Sequence, residues 1–316
     1  MATPVISSQE WIAKVQNTPR KAEEFVTAFY EHSIGAICTD AKLLRIPLDD
    51  HLVHRGDGCF ESLTIAESRI LELDAHIARL EHSASRLGIK APLPYPELKQ
   101  IIIDTAKVGN APHGSIKLLM GRGEGGLGIS PKECPVASFY CVVTKGNPPA
   151  PDYWEKGITA CKSEIPAKQP FLAQIKSTNY LPNVFMAQEA ERKGVSVSIS
   201  FDEDGYLAEA AIANVGIIDK NGVFVLPYFK RALAGTTALM AKSIAENDLH
   251  MKTESRDIRE EEIFDAKEFL LFGTGSQCVA ITHYEGKKIA DGVPMENAKK
   301  LQKLIYKKLI ETGTPF

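Results

Sequence analysis

Apolar residues recur every three or four positions in segment 72–89, a spacing that predicts a helix with one apolar face. Ile77, Leu80, Ala84 and Leu87 form that face. Asp74 has the chemistry of an N-cap and Gly88 that of a helix stop, so both ends of the helix are marked in the sequence.

Other segments are divided between helical spacing and short runs typical of strands. The remaining predicted helices are 95–110, 183–194, 236–248 and 295–313, and the predicted strands are 35–39, 59–68, 114–123, 137–146, 157–165, 196–227 (several consecutive strands) and 267–275. Asp204-Gly205 and Asn221-Gly222 predict hairpin turns within the 196–227 run. Because strands and helices are mixed and hairpins are prominent, the pattern favours the α+β class over a doubly wound sheet.

The proline-rich stretch "NPPAPDYW" divides the chain. Three prolines in eight residues favour an extended linker over 147–154. We therefore expect a small N-terminal α/β domain over 1–146 and a larger C-terminal domain over 155–316.

Composition and charge narrow the class of protein. The chain has 316 residues, 44% of them hydrophobic, and a net charge of −3, so we expect neither a nucleic-acid partner nor a polybasic membrane patch. The N-terminal segment has neither the apolar core of a signal peptide nor the composition of a transit peptide. The six cysteines lack C-x-x-C pairing, which favours reduced thiols in a cytoplasmic protein over disulfides or a metal site.

Glycine-rich segments offer three candidate binding loops. "GRGEGG" (121–126) matches a dinucleotide-binding pattern, but a strand is predicted after it where that pattern needs a helix, so a flexible loop near a ligand is the better interpretation. "LAGTTALMAKS" (233–243) opens a helix with free N–H groups that fit either an anion site or a simple threonine cap. "LFGTGSQ" (271–277) ends an apolar strand with small residues that allow close approach of a ligand.

Charged residues in apolar surroundings are the candidates for chemistry. Lys176 stands in the nearly uncharged run "AQIKSTNYLPN", where a surface lysine is the commoner explanation and a reactive lysine the sharper one. Glu209 lies between alanines, so it is either exposed at a sheet edge or has a buried cationic partner. His76, Arg79, Ser83 and Arg86 share one helix face, which fits a solvated surface or an arginine reserved for phosphate.

Six segments, in order, carry a resemblance to a known family: "PLDDHLVHRGDGCFES", "LDAHIARLEHSA", "IKSTNYLPNVFMAQEAERKG", "DGYLAEAAIANVGII", "ALAGTT" and "FGTGSQ". The chain resembles the class IV (fold-type IV) pyridoxal-phosphate aminotransferases, which include D-amino-acid transaminases, branched-chain aminotransferases and aminodeoxychorismate lyase. The resemblance implies a two-domain α+β enzyme with a D-amino-acid aminotransferase-like fold. It also implies pyridoxal 5′-phosphate as cofactor and a ping-pong transfer between an amino acid and a 2-oxo acid.

The resemblance also assigns roles to residues. It implies that Lys176 bonds covalently to the cofactor and moves the proton, and that Glu209 faces the pyridine nitrogen. Arg79 corresponds to the arginine that binds the phosphate, and Tyr180 to a tyrosine beside the phenolic oxygen. The remaining residues correspond to contacts with the phosphate and the substrate carboxylate: Gly235, Thr236, Thr237 and Thr274, with Gly275 beside them at the strand end.

The substrate is the point where the chain departs from the pattern. Bacterial D-amino-acid transaminases carry an arginine and a histidine in the loop where this chain reads "GLGIS" (126–130), so carboxylate binding is expected to use Arg122, backbone amides or another residue. The residues of the motifs favour D-amino acids such as D-alanine as substrates. Branched-chain L-amino-acid transfer and the lyase reaction are the alternatives. The family also implies a homodimer in which a loop of one subunit completes the site of the other.

Overall fold

The computed structural model describes residues 2–316 and contains two sheets with helices packed against them. Three short 3-10 turns lie at Lys21–Glu24, Ala41–Leu43 and Pro131–Glu133. The helices are α1 (Ser8–Asn17), α2 (His51–His54), α3 (Leu73–Leu87), α4 (Tyr95–Gly109), α5 (Asp152–Lys156), α6 (Pro170–Ala173), α7 (Leu181–Lys193), α8 (Thr236–Asn247), α9 (Glu260–Phe264) and α10 (Glu296–Thr312). The strands are β1 (Val26–Glu31), β2 (Ala36–Cys38), β3 (Gly58–Ala66), β4 (Arg69–Ile70), β5 (Gly114–Gly121), β6 (Ser138–Lys145), β7 (Ile158–Lys162), β8 (Val197–Phe201), β9 (Leu207–Ala210), β10 (Asn214–Ile218), β11 (Phe224–Leu226), β12 (Thr253–Ser255), β13 (Glu268–Gly273), β14 (Gln277–Tyr284), β15 (Lys287–Lys288) and β16 (Thr314–Pro315).

The first sheet is antiparallel and has the order β16-β4-β3-β5-β6-β1-β2. Its strands alternate buried and less buried positions, so one face carries Leu63, Ile116 and Cys141 into a core beneath α3 and α4. The opposite face of β3 carries Phe60, whose ring centroid lies 4.6 Å from Nζ of Lys176. Alternation along β3 therefore fixes which of its side chains face Lys176.

The second sheet has the order β12-β11-β10-β13-β14-β7-β8-β9, and β9 also pairs with β10. Six strands therefore close on themselves, and the closing contact is the single pair Asn214 and Glu209. Side chains of β10 and β13 alternate between the enclosed core, which contains Ile217 and Leu271, and a second core beneath α8 and α10, which contains Ile218 and Phe272. Burial on both faces explains why these strands are continuous apolar runs in the sequence.

The predicted α+β fold with two sheet units is confirmed, while details of its boundaries differ. The segment 147–154 joins the two sheets, but its second half is helical because α5 begins at Asp152. The last strand, β16, returns to the first sheet and pairs with β4. The division into domains 1–146 and 155–316 therefore stays a prediction. The C-terminal strand β16 crosses that boundary, because it pairs with a strand of the N-terminal part.

The helix α3 differs from its prediction at its N-terminal end, and its polar face excludes one of the two alternatives left open for it. Its N-cap is Glu72, in the left-handed conformation at φ 53°, and Asp74 lies inside the first turn. His76 and Ser83 are fully buried, so the polar face is not solvated. Gly88 ends the helix at φ 65°, as predicted. Among the described residues, no helix is both long and apolar enough to span a membrane.

Candidate active site

A cavity between the two sheets brings together most of the charged residues that the sequence singled out. Its walls come from α3, the segment before α7, the turn between β9 and β10, the start of α8 and the end of β13. The lining includes Arg79, Lys168, Lys176, Tyr180, Glu209, Asn214, Gly235, Thr236, Thr237 and Thr274.

Lys176 comes after β7, a strand of the second sheet, in the sequence. Its backbone nevertheless hydrogen-bonds to β3 of the first sheet. The N–H of Phe60 donates to its carbonyl at 2.9 Å, and its own N–H donates to Oγ of Ser83 at 3.2 Å. The amine Nζ lies 4.6 Å from the ring centroid of Phe60 and 5.8 Å from that of Tyr180. The side chain therefore points into the cavity from a backbone that is pinned on both sides.

The surroundings of Lys176 favour its neutral amine. Burial and then the nearby Arg79 lower its pKa from 10.5 to about 8, against the smaller opposing effects of Glu61 and Glu209. The neutral amine is the nucleophilic form of lysine. Lys176 is thus a half-buried lysine with a lowered pKa and not the surface residue that base frequencies favour.

Glu209 lies at the end of β9, where the second sheet closes. Its Oε2 accepts the N–H of Leu233 at 3.0 Å, and its Oε1 is 3.9 Å from Nζ of Lys168. Burial raises the pKa of Glu209, and Lys168 is the strongest opposing influence. Of the two alternatives that the sequence left for Glu209, the structure shows a cationic partner, the half-buried Lys168.

Arg79 reaches the cavity from α3 and is held by a buried carboxylate. Its Nε and Nη2 each donate to Glu61 at 2.8 Å, and Nδ1 of His76 is 2.7 Å from the same carboxylate. Burial alone would raise the pKa of Glu61, but the hydrogen bonds from Arg79 and His76 outweigh burial and lower the pKa to about 2. The guanidinium is therefore oriented before any ligand arrives.

The N-terminus of α8 opens into the same cavity. Gly235 is its N-cap, and the hydroxyl of Thr236 donates to Oε2 of Glu72 at 3.0 Å. A Cβ on Gly235 would lie 1.9 Å from Oδ1 of Asn214, so only glycine permits this close packing. Free N–H groups and the helix dipole favour negative charge at the start of this 12-residue helix.

Arg122 and Gly275 lie apart from this group. The guanidinium of Arg122 donates to both oxygens of Asp57 and to the carbonyls of Leu87 and Gly88. Neither Arg122 nor Gly275 is among the residues that line the cavity, although Thr274 is. The substrate-binding role predicted for Arg122 is therefore not supported by its position, because its donors are already committed to the protein.

Lys168 and Asn214 line the cavity and Glu61 holds Arg79 beside it, but none of the three was found from the sequence. Lys168 is a lone cation between two prolines in "PAKQP", a signal of the same kind as the one that marked Lys176. Glu61 stands on the core-facing side of a strand otherwise filled by apolar residues. A charge at such a position implies a partner, which here comes from α3.

Comparison with known proteins identifies the family. The profile of amino-transferase class IV matches residues 58–284. The chain is a class IV aminotransferase. It is 33% identical to the chloroplastic D-amino-acid transaminase of Arabidopsis thaliana, a match that covers 99% of this chain and 83% of that one. It is 28% identical to a provisionally named branched-chain-amino-acid aminotransferase of Methanocaldococcus jannaschii, over 83% of this chain and 91% of the relative.

Solved structures share the fold of this aminotransferase. The branched-chain amino acid aminotransferase of Escherichia coli superimposes with a TM-score of 0.84 at 21% identity, over 90% of this chain and 95% of the other. A hypothetical aminotransferase of Mycobacterium tuberculosis in its PLP-bound form gives a TM-score of 0.76 at 20% identity, over 91% of this chain and 99% of the other. The fold-type IV architecture expected from the sequence is thereby confirmed.

The aminotransferase depends on pyridoxal 5′-phosphate, and the cavity fits this cofactor. A phosphate needs cationic and N–H donors, which Arg79 and the start of α8 supply. An aldehyde needs a neutral amine, and a pyridine nitrogen needs a carboxylate partner; Lys176 and Glu209 have these chemistries. When bound, the cofactor draws electrons away from the bonds at the substrate's Cα.

Proposed function

We propose that the enzyme moves an amino group from a D-amino acid such as D-alanine to a 2-oxo acid, with Lys176 as the residue that bonds the cofactor. The observation that supports Lys176 is its buried amine with a lowered pKa in a cavity shared with Arg79 and Glu209. With the cofactor bound, its Nζ, once freed from the cofactor by the substrate's amino group, would be the base that moves the proton between the substrate's Cα and C4′, since a neutral amine can act as a base.

The other cavity residues bind and orient in this proposal. Arg79, Gly235, Thr236 and Thr237 hold the phosphate, and Glu209 holds the proton on the ring nitrogen. Tyr180 supports the phenolic oxygen, because burial raises the pKa of its hydroxyl and keeps that hydroxyl a hydrogen-bond donor. Thr274, at the end of β13, remains the proposed contact for the substrate carboxylate.

The choice of D-amino acids is supported by the match to the D-amino-acid transaminase of Arabidopsis thaliana, which extends over nearly the whole chain. Branched-chain L-amino-acid transfer is the second candidate, favoured by the archaeal relative. Because D- and L-specific enzymes share one fold, the position of the carboxylate contact decides between them.

Two measurements test this function. Borohydride reduction followed by mass spectrometry should place the cofactor on Lys176, and Lys176→Ala should lose both the adduct and turnover. Single-turnover reactions, followed by the cofactor's visible absorbance, should run faster with D-alanine or D-glutamate than with L-leucine or L-valine. An adduct on another lysine would refute the role of Lys176, and faster conversion of the L-amino acids would replace the D-specific function by the branched-chain one.

We also infer that the enzyme acts as a homodimer in the cytoplasm. Exposed apolar side chains at Leu48, Leu127 and Ile129 support a dimer, since they lie on two segments that hydrogen-bond to each other through Arg55 and the carbonyl of Leu127. Light scattering coupled to size-exclusion chromatography should give twice the chain mass of 34.6 kDa. A single-chain mass at micromolar concentration would contradict the dimer.

A further inference from the structure

A second lysine lies in the cavity with no role assigned above. Lys168 belongs to the connection between β7 and α6, and its side chain is 21% exposed. Its Nζ is 3.9 Å from Oε1 of Glu209 and 5.0 Å from the centroid of the Tyr180 ring. The ammonium therefore bridges the carboxylate and the aromatic ring at one end of the cavity.

Few groups face the carboxylate of Glu209, whose side chain is 13% exposed. Oε2 receives the N–H of Leu233, while the titratable groups around it are Lys168, Lys176 and Tyr180. Lys176 cannot be a lasting counter-ion, because its amine must be neutral to react. Tyr180 is uncharged, since burial raises its pKa. Lys168 is thus the one of these groups that the reaction does not require to lose its charge; burial lowers its pKa, and Glu209 opposes that effect.

Removing a buried carboxylate's counter-ion favours its neutral form. A neutral Glu209 would no longer favour a proton on the ring nitrogen, and the loss of the substrate's Cα proton would slow. The ring of Tyr180 against the ammonium limits where Lys168 can move, because a cation is held over an aromatic face.

We propose that Lys168 is a positioning residue for Glu209: its ammonium balances the charge of the carboxylate and holds it toward the cavity. This inference rests on the proposed role of Glu209. It adds a residue that contacts neither the reacting carbon nor the phosphate, and it assigns the second cavity lysine to electrostatics and not to substrate binding.

The test compares Lys168→Met with Lys168→Arg, which restores the charge, and with Lys162→Met as a matched control. Lys162 also contacts an aromatic ring, Phe201, and pairs with a carboxylate, Glu260, but does not line the cavity. In cofactor-free protein, the pKa of the Glu209 carboxyl can be followed by infrared titration, with Glu209→Gln identifying its band. That measured pKa should rise by about one to three units in Lys168→Met. Lys168→Arg and the control should titrate like the parent.

A second readout uses a cofactor analogue in which carbon replaces the ring nitrogen. With pyridoxal phosphate, exchange of the substrate's Cα proton should be roughly ten-fold or more slower in Lys168→Met than in the parent. With the analogue, parent and variant should exchange at equal rates, because Glu209 then has no ring nitrogen to act on.

An unshifted carboxyl titration would overturn the proposal, and so would an equal loss of rate with the analogue, since Lys168 would then act on the substrate or the fold. If Lys168→Met does not fold, Lys168→Gln serves the same comparisons. The carboxyl titration needs no cofactor, so it judges the pair of Lys168 and Glu209 even if borohydride places the cofactor on a residue other than Lys176.

Discussion

The guanidinium of Arg79 and the carboxylate of Glu61 form a two-point ion pair with both distances at 2.8 Å, on the first sheet's core-facing side. Glu61 is completely buried, so its charge depends on Arg79 and on His76. The pair therefore links the stability of the fold to the group that is proposed to hold the cofactor's phosphate.

The pH dependence of folding should report this ion pair. The pKa of Glu61 falls from 4.5 to about 2 on folding, so the unfolded chain binds more protons between these values and the stabilisation is lost as pH falls from about 4.5 to 2. The full contribution is about 3 kcal/mol. Urea unfolding of parent and Glu61→Gln from pH 2.5 to 7 should show a stability difference that narrows below pH 4.5. A constant difference would contradict the lowered pKa.

Lys176 should reduce the stability of the cofactor-free protein. Its pKa is about 8 in the folded state against 10.5, so the unfolded chain binds more protons between these values and stability rises with pH across this window. At pH 7 the buried charge costs up to about 3 kcal/mol. Lys176→Met should therefore unfold at higher urea concentration than the parent at pH 7, while the same change at exposed Lys90 serves as control. A less stable Lys176→Met would show that the ammonium is well solvated or paired.

Arg79→Lys should weaken cofactor retention while keeping the charge. Lysine cannot reproduce the planar fork that contacts Glu61 on two atoms and would meet a phosphate in the same way. Dialysis followed by absorbance should show faster loss of cofactor, and excess cofactor should restore turnover. Arg256→Lys is the control, because Arg256 pairs with Glu254 and Glu262 outside the cavity. Parent-like retention would remove Arg79 from the phosphate site.

Gly235→Ala should disrupt the start of α8. The new Cβ would collide with Oδ1 of Asn214, whose amide also donates to the carbonyl of Leu233 at 2.8 Å. We expect a loss of about 1–3 kcal/mol of unfolding free energy together with weaker cofactor retention. Adding Asn214→Ala should recover part of both, because it removes the colliding atom. An undiminished protein with Gly235→Ala would show that the loop yields without cost.

The spacing of apolar residues and the turn residues were enough to place most strands and helices. Burial of an element on one face or on both determines which of its positions are apolar in the sequence. The two hairpins at Asp204-Gly205 and Asn221-Gly222 lie where predicted, between β8 and β9 and between β10 and β11. The N-cap of α3 was wrong because Glu72 adopts a left-handed conformation that no local pattern announces. Helix α1 was not predicted, and it buries none of its residues.

Site residues were predictable where a motif fixes them and not where they depend on contacts across the fold. Lys176 and Glu209 stand out as charges in apolar runs. Lys168 and Glu61 also stand out as lone charges, but their partners, Glu209 on another strand and Arg79 on α3, are known only from contacts across the fold. Arg122 illustrates the reverse case, because its ion pair with Asp57 is invisible in the sequence.

Hydrogen bonds attach the backbone of Lys176 to the N-terminal half of the structure, although the residue belongs to the C-terminal half of the chain. Phe60 and Ser83, which hold it, both precede the 147–154 junction. A fragment comprising only residues 155–316 would therefore carry the lysine without its support and without Arg79, and its amine should titrate like that of an ordinary lysine. Separately expressed halves could regain the reactive amine only by reassembling, which makes that amine a chemical reporter of whether the two halves have joined.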